Sequence, residues 1–118
     1  MKKLTLVLLA VVALGFLIAQ SRAGDEVDKN LTKQMSDILT EWKKITPGTK
    51  RAELLKVFTT EGGISTARHR IFVHRRCPCI KVEVDFTLSD PQQSIVDERP
   101  TDTVSRISRP YLEWSIID

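Results

Sequence analysis

The triplet Cys77-Pro78-Cys79 is the most unusual local feature of this 118-residue chain. Two thiols separated by one residue suit either a thiol–disulfide couple or half of a soft-metal site. A tetrahedral metal site takes four ligands. His74 is the nearest supplement, and the sequence holds no second cysteine pair and no His-x-His pattern. A bridge between Cys77 and Cys79 would close a very small loop and add little chain-entropy stabilisation. Around the triplet lie Arg68, His69, Arg70, His74, Arg75, Arg76 and Lys81, the strongest local charge bias in the chain. Such a cluster suits phosphate, an acidic lipid surface or an acidic partner. Glu83 and Asp85 partly neutralise it, so a solvated hairpin face is the plainer expectation. Only Phe72 lies within the cluster as a stacking platform, and no nucleic-acid partner is expected. Cys77, Cys79, Arg70, His74, Arg75 and Arg76 are thus the candidate partner-binding or redox residues, with no cofactor expected. The guanidinium groups of Arg75 and Arg76 are expected to favour thiolate over thiol at the cysteines.

Other catalytic patterns are generic. His69 and His74 are five residues apart and fall on opposite faces of a regular strand, so they do not form a two-histidine acid–base pair on their own. Ser65 and Thr66 follow Gly62-Gly63, which has the character of a helix stop and not of a nucleophile elbow. Trp42 and Trp114 are expected as core anchors.

The elements that must position these residues can be read from periodicity. Val27, Leu31, Met35, Ile38, Leu39, Trp42 and Ile45 recur at helical spacing from Asp25 to Ile45. Asp25 or Asp28 is the expected cap, with a Glu41–Lys44 pair on the polar face. Thr46-Pro47-Gly48 ends this helix, because Pro47 disfavours helical geometry at Thr46. Thr49 is the expected N-cap of a second helix, Lys50 to about Thr60, with Gly62-Gly63 as its stop. The period then alternates. Ile71 and Val73 share one strand face, and Ile80, Val82, Val84 and Phe86 share a face of the next. Placing both apolar sets on one core side sets Val73 opposite Val82, Ile71 opposite Val84 and Arg70 opposite Asp85. That register leaves Arg76 to Cys79 as an exposed hairpin tip. Ser89 to Thr101 reads as a loop. Asp102 to Arg109 is a weaker strand whose Val104 and Ile107 have opposite parity, which calls for a bulge or an irregular edge. Leu112, Trp114 and Ile116 alternate as a short last strand. The expected core joins Leu31, Ile38, Trp42, Leu55 and Phe58 to Val73, Val82, Val84 and Phe86.

Composition bounds the compartment. Lys2 and Lys3, an apolar run from Leu4 to Ala19, and the small-x-small site Ser21-Arg22-Ala23 are the three parts of a secretory signal. The run is shorter than the roughly 20 residues of a spanning helix, so residues 1–23 are expected to be cleaved, leaving no integral membrane span. No Cys follows the run to take a lipid. The chain has 18 basic and 15 acidic residues and a pI near 9.0. Lys2, Lys3 and Arg22 leave with the leader while all the acids remain, so the mature chain balances 15 against 15. Its basic pI is a property of the targeting segment. Residues 24–118 are of a size for one domain with a modest core.

The motif Ile45-Thr46-Pro47-Gly48-Thr49-Lys50-Arg51-Ala52-Glu53-Leu54-Leu55, between a helix and a strand meander, resembles the SmpA/OmlA outer-membrane-assembly lipoproteins. It also resembles the related repeat of beta-lactamase-inhibitory proteins. That resemblance implies a binding scaffold in which two helices pack on an antiparallel sheet. The expected fold is α+β: two N-terminal helices on a three- to four-stranded antiparallel β-meander. The expected role is a small exported module, periplasmic or secreted, that binds another envelope or secreted protein without catalysis. Competing expectations are a thiol-redox or metal-handling protein using the Cys-Pro-Cys tip, and a small phosphate-ester hydrolase using the basic hairpin. Oligomeric state stays open.

Overall fold

The computed structural model describes residues 29–114. The expected leader Met1–Ala23, the caps Asp25 and Asp28, and Ile116 of the expected last strand lie outside the described residues. The chain divides between Asp37 and Ile38 into two units. In the first, residues 29–37 are helical, with Lys33 paired to Asp37 one turn on. Leu31, expected in the core, is 57% exposed there.

The second unit is an α+β fold with an antiparallel sheet. Helix α1 covers residues 29–43, and those of its residues that belong to this unit include buried Ile38, half-buried Trp42 and exposed Leu39. Just past the helix end, Ile45 is buried as well, its N–H donating to the Trp42 carbonyl at 3.0 Å. Gly48 then takes a positive φ of 95°, the left-handed region that favours glycine. Here Gly48 N–H donates to Val104 O at 2.7 Å and Val104 N–H to Thr49 O at 2.8 Å, pinning the link to a later strand. Thr49 therefore does not cap the next helix. Its hydroxyl accepts from Thr46 N–H within the turn, and the N-cap is Lys50, whose side chain makes no capping bond.

The second helix, α2, spans Arg51–Val57 and buries Arg51 and Leu54. It ends before the expected Thr60, because Phe58 is already extended and Phe58–Thr60 form strand β1. An aromatic followed by two β-branched threonines suits a strand. The order along the sheet is β1, then β2 (His69–His74), β3 (Cys77–Thr87) and β4 (Thr103–Ile107), all antiparallel. A two-residue β5, Tyr111–Leu112, pairs with the start of β3. The eleven residues of β3 thus hold two partners in tandem, β5 at Ile80 and Lys81 and β4 from Val84 onward.

The β2–β3 register is one residue away from the expected one. Phe72 faces Val82 and Arg70 faces Val84, while Val73 faces Lys81 and His69 faces Asp85. Two features defeat the one-sided argument. The middle of the sheet is covered on both faces, since Val73 and Lys81 are buried, as are Phe72 and Val82. The larger ring of Phe72 takes the core position and leaves Ile71 half-buried. The ladder also jumps from Val73↔Lys81 to His74↔Cys77, so β3 bulges over residues 78–80. The hairpin link shrinks to Arg75-Arg76.

The bulge expected in β4 is present. Asp85 faces Arg106 while Phe86 faces Val104, leaving Ser105 as the extra residue. That extra residue brings Val104 and Ile107, of opposite parity, onto Phe86 and Val84. The core is Ile45, Leu54, Phe58, Phe72, Val82, Val84, Phe86 and Val104, with Trp42, Leu55, Val57 and Ile107 packed against it. Phe72 and Phe86 meet edge-on with centroids 5.9 Å apart. Trp42 covers one side of this core and donates its indole N–H to Ser108 O at 3.0 Å.

Candidate functional site

The basic cluster of the hairpin is taken apart by the fold. At the β2–β3 tip, Arg75 Nε donates to Leu55 O at 2.8 Å, and Arg76 Nη2 to Glu41 Oε1 at 2.6 Å. His74 is buried beneath them, edge-on to Phe58. The backbone N–H of Arg76 donates to His74 Nδ1 at 3.1 Å, which places the ring proton on Nε2, aimed at Glu41 Oε2 at 2.8 Å. Glu41 is therefore turned to the hairpin and not to Lys44. Hydrogen bonds from His74 first, then Arg76, hold its carboxyl below the usual range.

Arg70 pairs with Glu98 of the long loop. On the outer sheet face His69 Nδ1 and Arg106 Nε both meet Asp85, at 2.6 Å each, and these bonds, the histidine's first, lower its carboxyl. Lys81 is buried against Glu61 and also reaches Glu113 at 3.3 Å; the Glu61 bond, opposed by burial, raises its ammonium. The candidate cations Arg70, His74 and Arg76 each face a carboxylate, and Arg75 faces a carbonyl. An incoming anion would have to displace those partners, Glu98 at one end of β2 and Glu41 at the other.

Cys77 and Cys79 lie at the start of β3, not in an exposed loop. Both are free and half-buried, with Sγ–Sγ at 3.0 Å. The two guanidinium groups at the tip are aimed elsewhere. The Cys77 thiol is accordingly pushed up and not down, first by its hydrogen bond with Cys79 and then by burial. Among the described residues, no group of three His, Cys, Asp or Glu side chains converges in a metal-holding arrangement. Cys79 instead borders a hollow of about 310 Å³ whose other walls are Leu112, Glu113 and Trp114. Leu112 is 73% and Trp114 90% exposed, so Trp114 is no core anchor. The backbone secures this wall: Glu113 N–H donates to Cys79 O at 2.9 Å.

Comparison with protein families, with curated proteins and with solved structures finds no match to this chain. The chemistry has to be argued from its own side chains.

The strongest polar constellation was invisible in the sequence. Asp102, fully buried, accepts from Ser89 N–H (2.9 Å), Ser89 Oγ (3.1 Å), Gln93 Nε2 (3.1 Å), Arg99 N–H (2.9 Å) and Arg51 Nη2 (3.3 Å). Burial alone would push its carboxyl up; the donors from Ser89, Arg99 and Gln93 outweigh it and bring the value down to about 2. Arg51 also donates to Ala67 O at 2.6 Å and lies 3.6 Å over the Phe86 ring. Burial lowers its guanidinium, opposed by Glu98 and Asp102. This node ties α2, the loop after Gly63 and the loop after β3 into one block. The nearest sequence signal is an Arg at the first position of α2, and nothing in the spacing joins it to a carboxylate 51 residues on.

Proposed function

We propose that the protein is a small exported binding module that docks another envelope or secreted protein on the Leu112–Trp114 rim beside β5. The observation that carries this is the exposure of Leu112 and Trp114 together around one hollow. Large apolar side chains gathered at one concavity mark contact sites. Trp is also the residue type most enriched among interface anchors. The leader-like residues 1–23 support export. No helix among the described residues is long and apolar enough to cross a membrane. The likeness of Ile45–Leu55 to assembly-factor and inhibitory scaffolds points to the same class of role.

Placing a photo-crosslinking amino acid at Leu112 or Trp114 in producing cells tests this. The expected result is a discrete adduct at both positions and none at Ser105, an exposed control on β4. N-terminal sequencing should find a start near Gly24. Equal labelling at all three positions, no adduct at all, or a cytoplasmic protein retaining Met1 would overturn the proposal.

A further inference from the structure

We infer that Cys77 and Cys79 form a thiol–disulfide exchange site, in which Cys79 attacks a disulfide substrate from the hollow and Cys77 resolves the mixed disulfide. The inference goes beyond protein docking and requires no protein partner, although the same hollow admits the substrate. Three observations carry it.

The first is proximity. The sulfurs are in contact at 3.0 Å, so Cys77 is already placed to attack a bond made at Cys79. The second is asymmetry. Cys79 borders the hollow of Leu112, Glu113 and Trp114, and Cys77 does not, so an incoming disulfide meets Cys79 first. The Cys77 thiol, pushed up by its hydrogen bond with Cys79 and then by burial, fits the resolving role, which is exercised second. The third is mechanical. The Cys79 carbonyl accepts from Glu113 N–H beside the Ile80–Leu112 pair, and Cys77 pairs with His74 next to the two-residue turn. The backbone thus anchors the sulfur pair from both sides.

The atoms balance as follows. Cys79 Sγ releases its proton to water and attacks one sulfur of a disulfide RS–SR. A Cys79–SR bond forms, the RS–SR bond breaks, and the departing thiolate takes a proton from water. Cys77 Sγ then releases its proton and attacks Cys79 Sγ, forming Cys77–Cys79 and expelling the second thiolate. Two protein thiols lose two electrons, and one disulfide becomes two thiols. The bridge closes a loop too small to gain much from chain entropy, so it is readily reopened by a thiol.

The test uses the purified, reduced protein and glutathione disulfide, quenched with iodoacetamide and read by intact mass and peptide mapping. Wild type should end as the intramolecular disulfide with no glutathione retained. Cys77→Ser should accumulate glutathione on Cys79, and Cys79→Ser should react at least about tenfold more slowly at Cys77. Glutathione retained on wild type, a disulfide-linked dimer as the main product, or equal rates in the two single variants would overturn the assignment. Because the wild-type product alone decides between exchange and none, a variant that fails to fold does not rescue it. A negative outcome here leaves the crosslinking result at Leu112 and Trp114 untouched.

Discussion

Asp102 and Cys79 both hold polar atoms at the edge of the sheet core, but their surroundings differ. Asp102 is fully buried and collects five donors from four residues, drawn from three separate stretches of chain. Cys79 is half-buried, its sulfur meets that of Cys77, and beside it lie two of the most exposed large apolar residues described. The first environment fixes a geometry; the second leaves reactive and sticky groups open to a visitor. Charge density alone would have ranked them wrongly, because the arginines near the thiols are already engaged while the carboxylate that matters most is hidden.

The largest expected effect breaks the buried node. Asp102→Ala leaves the Arg51 guanidinium buried without its partner and strands the donors of Ser89, Gln93 and Arg99. A loss of about 3–5 kcal/mol in denaturant unfolding is expected, a large share of the stability of a domain this size. A loss below about 1 kcal/mol would mean that water reaches Arg51 and the node is not structural.

Almost as large is the effect that sharpens the register. Phe72→Ala should cost about 3–5 kcal/mol, and Ile71→Ala about 1–2 kcal/mol because that side chain is half wet. The reverse order would restore the register in which Ile71 and Val73 face the core.

Acid comes next. Asp102 ionises at about 2 in the folded protein, against about 3.9 when unfolded. A depressed carboxyl contributes stability that is complete above the unfolded value and is lost as pH falls through the folded one. About 2 kcal/mol should therefore disappear between pH 5 and roughly pH 2. Asp102→Asn should remove that part of the acid slope, measured by urea midpoints at stepped pH.

The smallest effect lies at the other end of the comparison. Replacing Cys77 and Cys79 together by Ser removes two half-buried sulfurs at the edge of the core, so stability should change by less than about 1 kcal/mol. A drop of several kcal/mol in thermal unfolding would make the thiols part of the core, and the contrast with Asp102 would vanish.

The contrast also explains what could be read from the sequence. The helical spacing of Ile38, Trp42 and Ile45 and the alternation from Ile80 to Phe86 gave the class and the order of the main elements, because each depends on neighbours within a few residues. The opposite parity of Val104 and Ile107 pointed to a bulge or an irregular edge, and the register shift leaves Ser105 as the extra residue. Thr49 and Phe58 were misread because partners on β4 and β2 claim their backbones, and local propensity carries no word of them. The hairpin register went wrong because the alternation rule presumes one wet face, whereas Val73 and Lys81 are buried on the second. At the candidate site the triplet stood out by its spacing, but its wall did not: Leu112 and Trp114 arrive from more than 30 residues away. The same distance hid Glu41 from His74 and Arg76.

The brevity of β5 has a consequence in time. A strand of two residues, held to β3 at Ile80 and Lys81 and by the Glu113 amide, can open without disturbing the ladder between β3 and β4 farther along. Such sub-global openings occur at free energies far below that of whole-domain unfolding. The Glu113 amide should therefore exchange with deuterium well ahead of those of Val82 and Val84, by a route that leaves the Phe72–Phe86 contact intact. The hollow beside Cys79 then has a breathing wall, and the rate at which β5 lifts sets an upper limit on how quickly a bulky visitor can reach the sulfur.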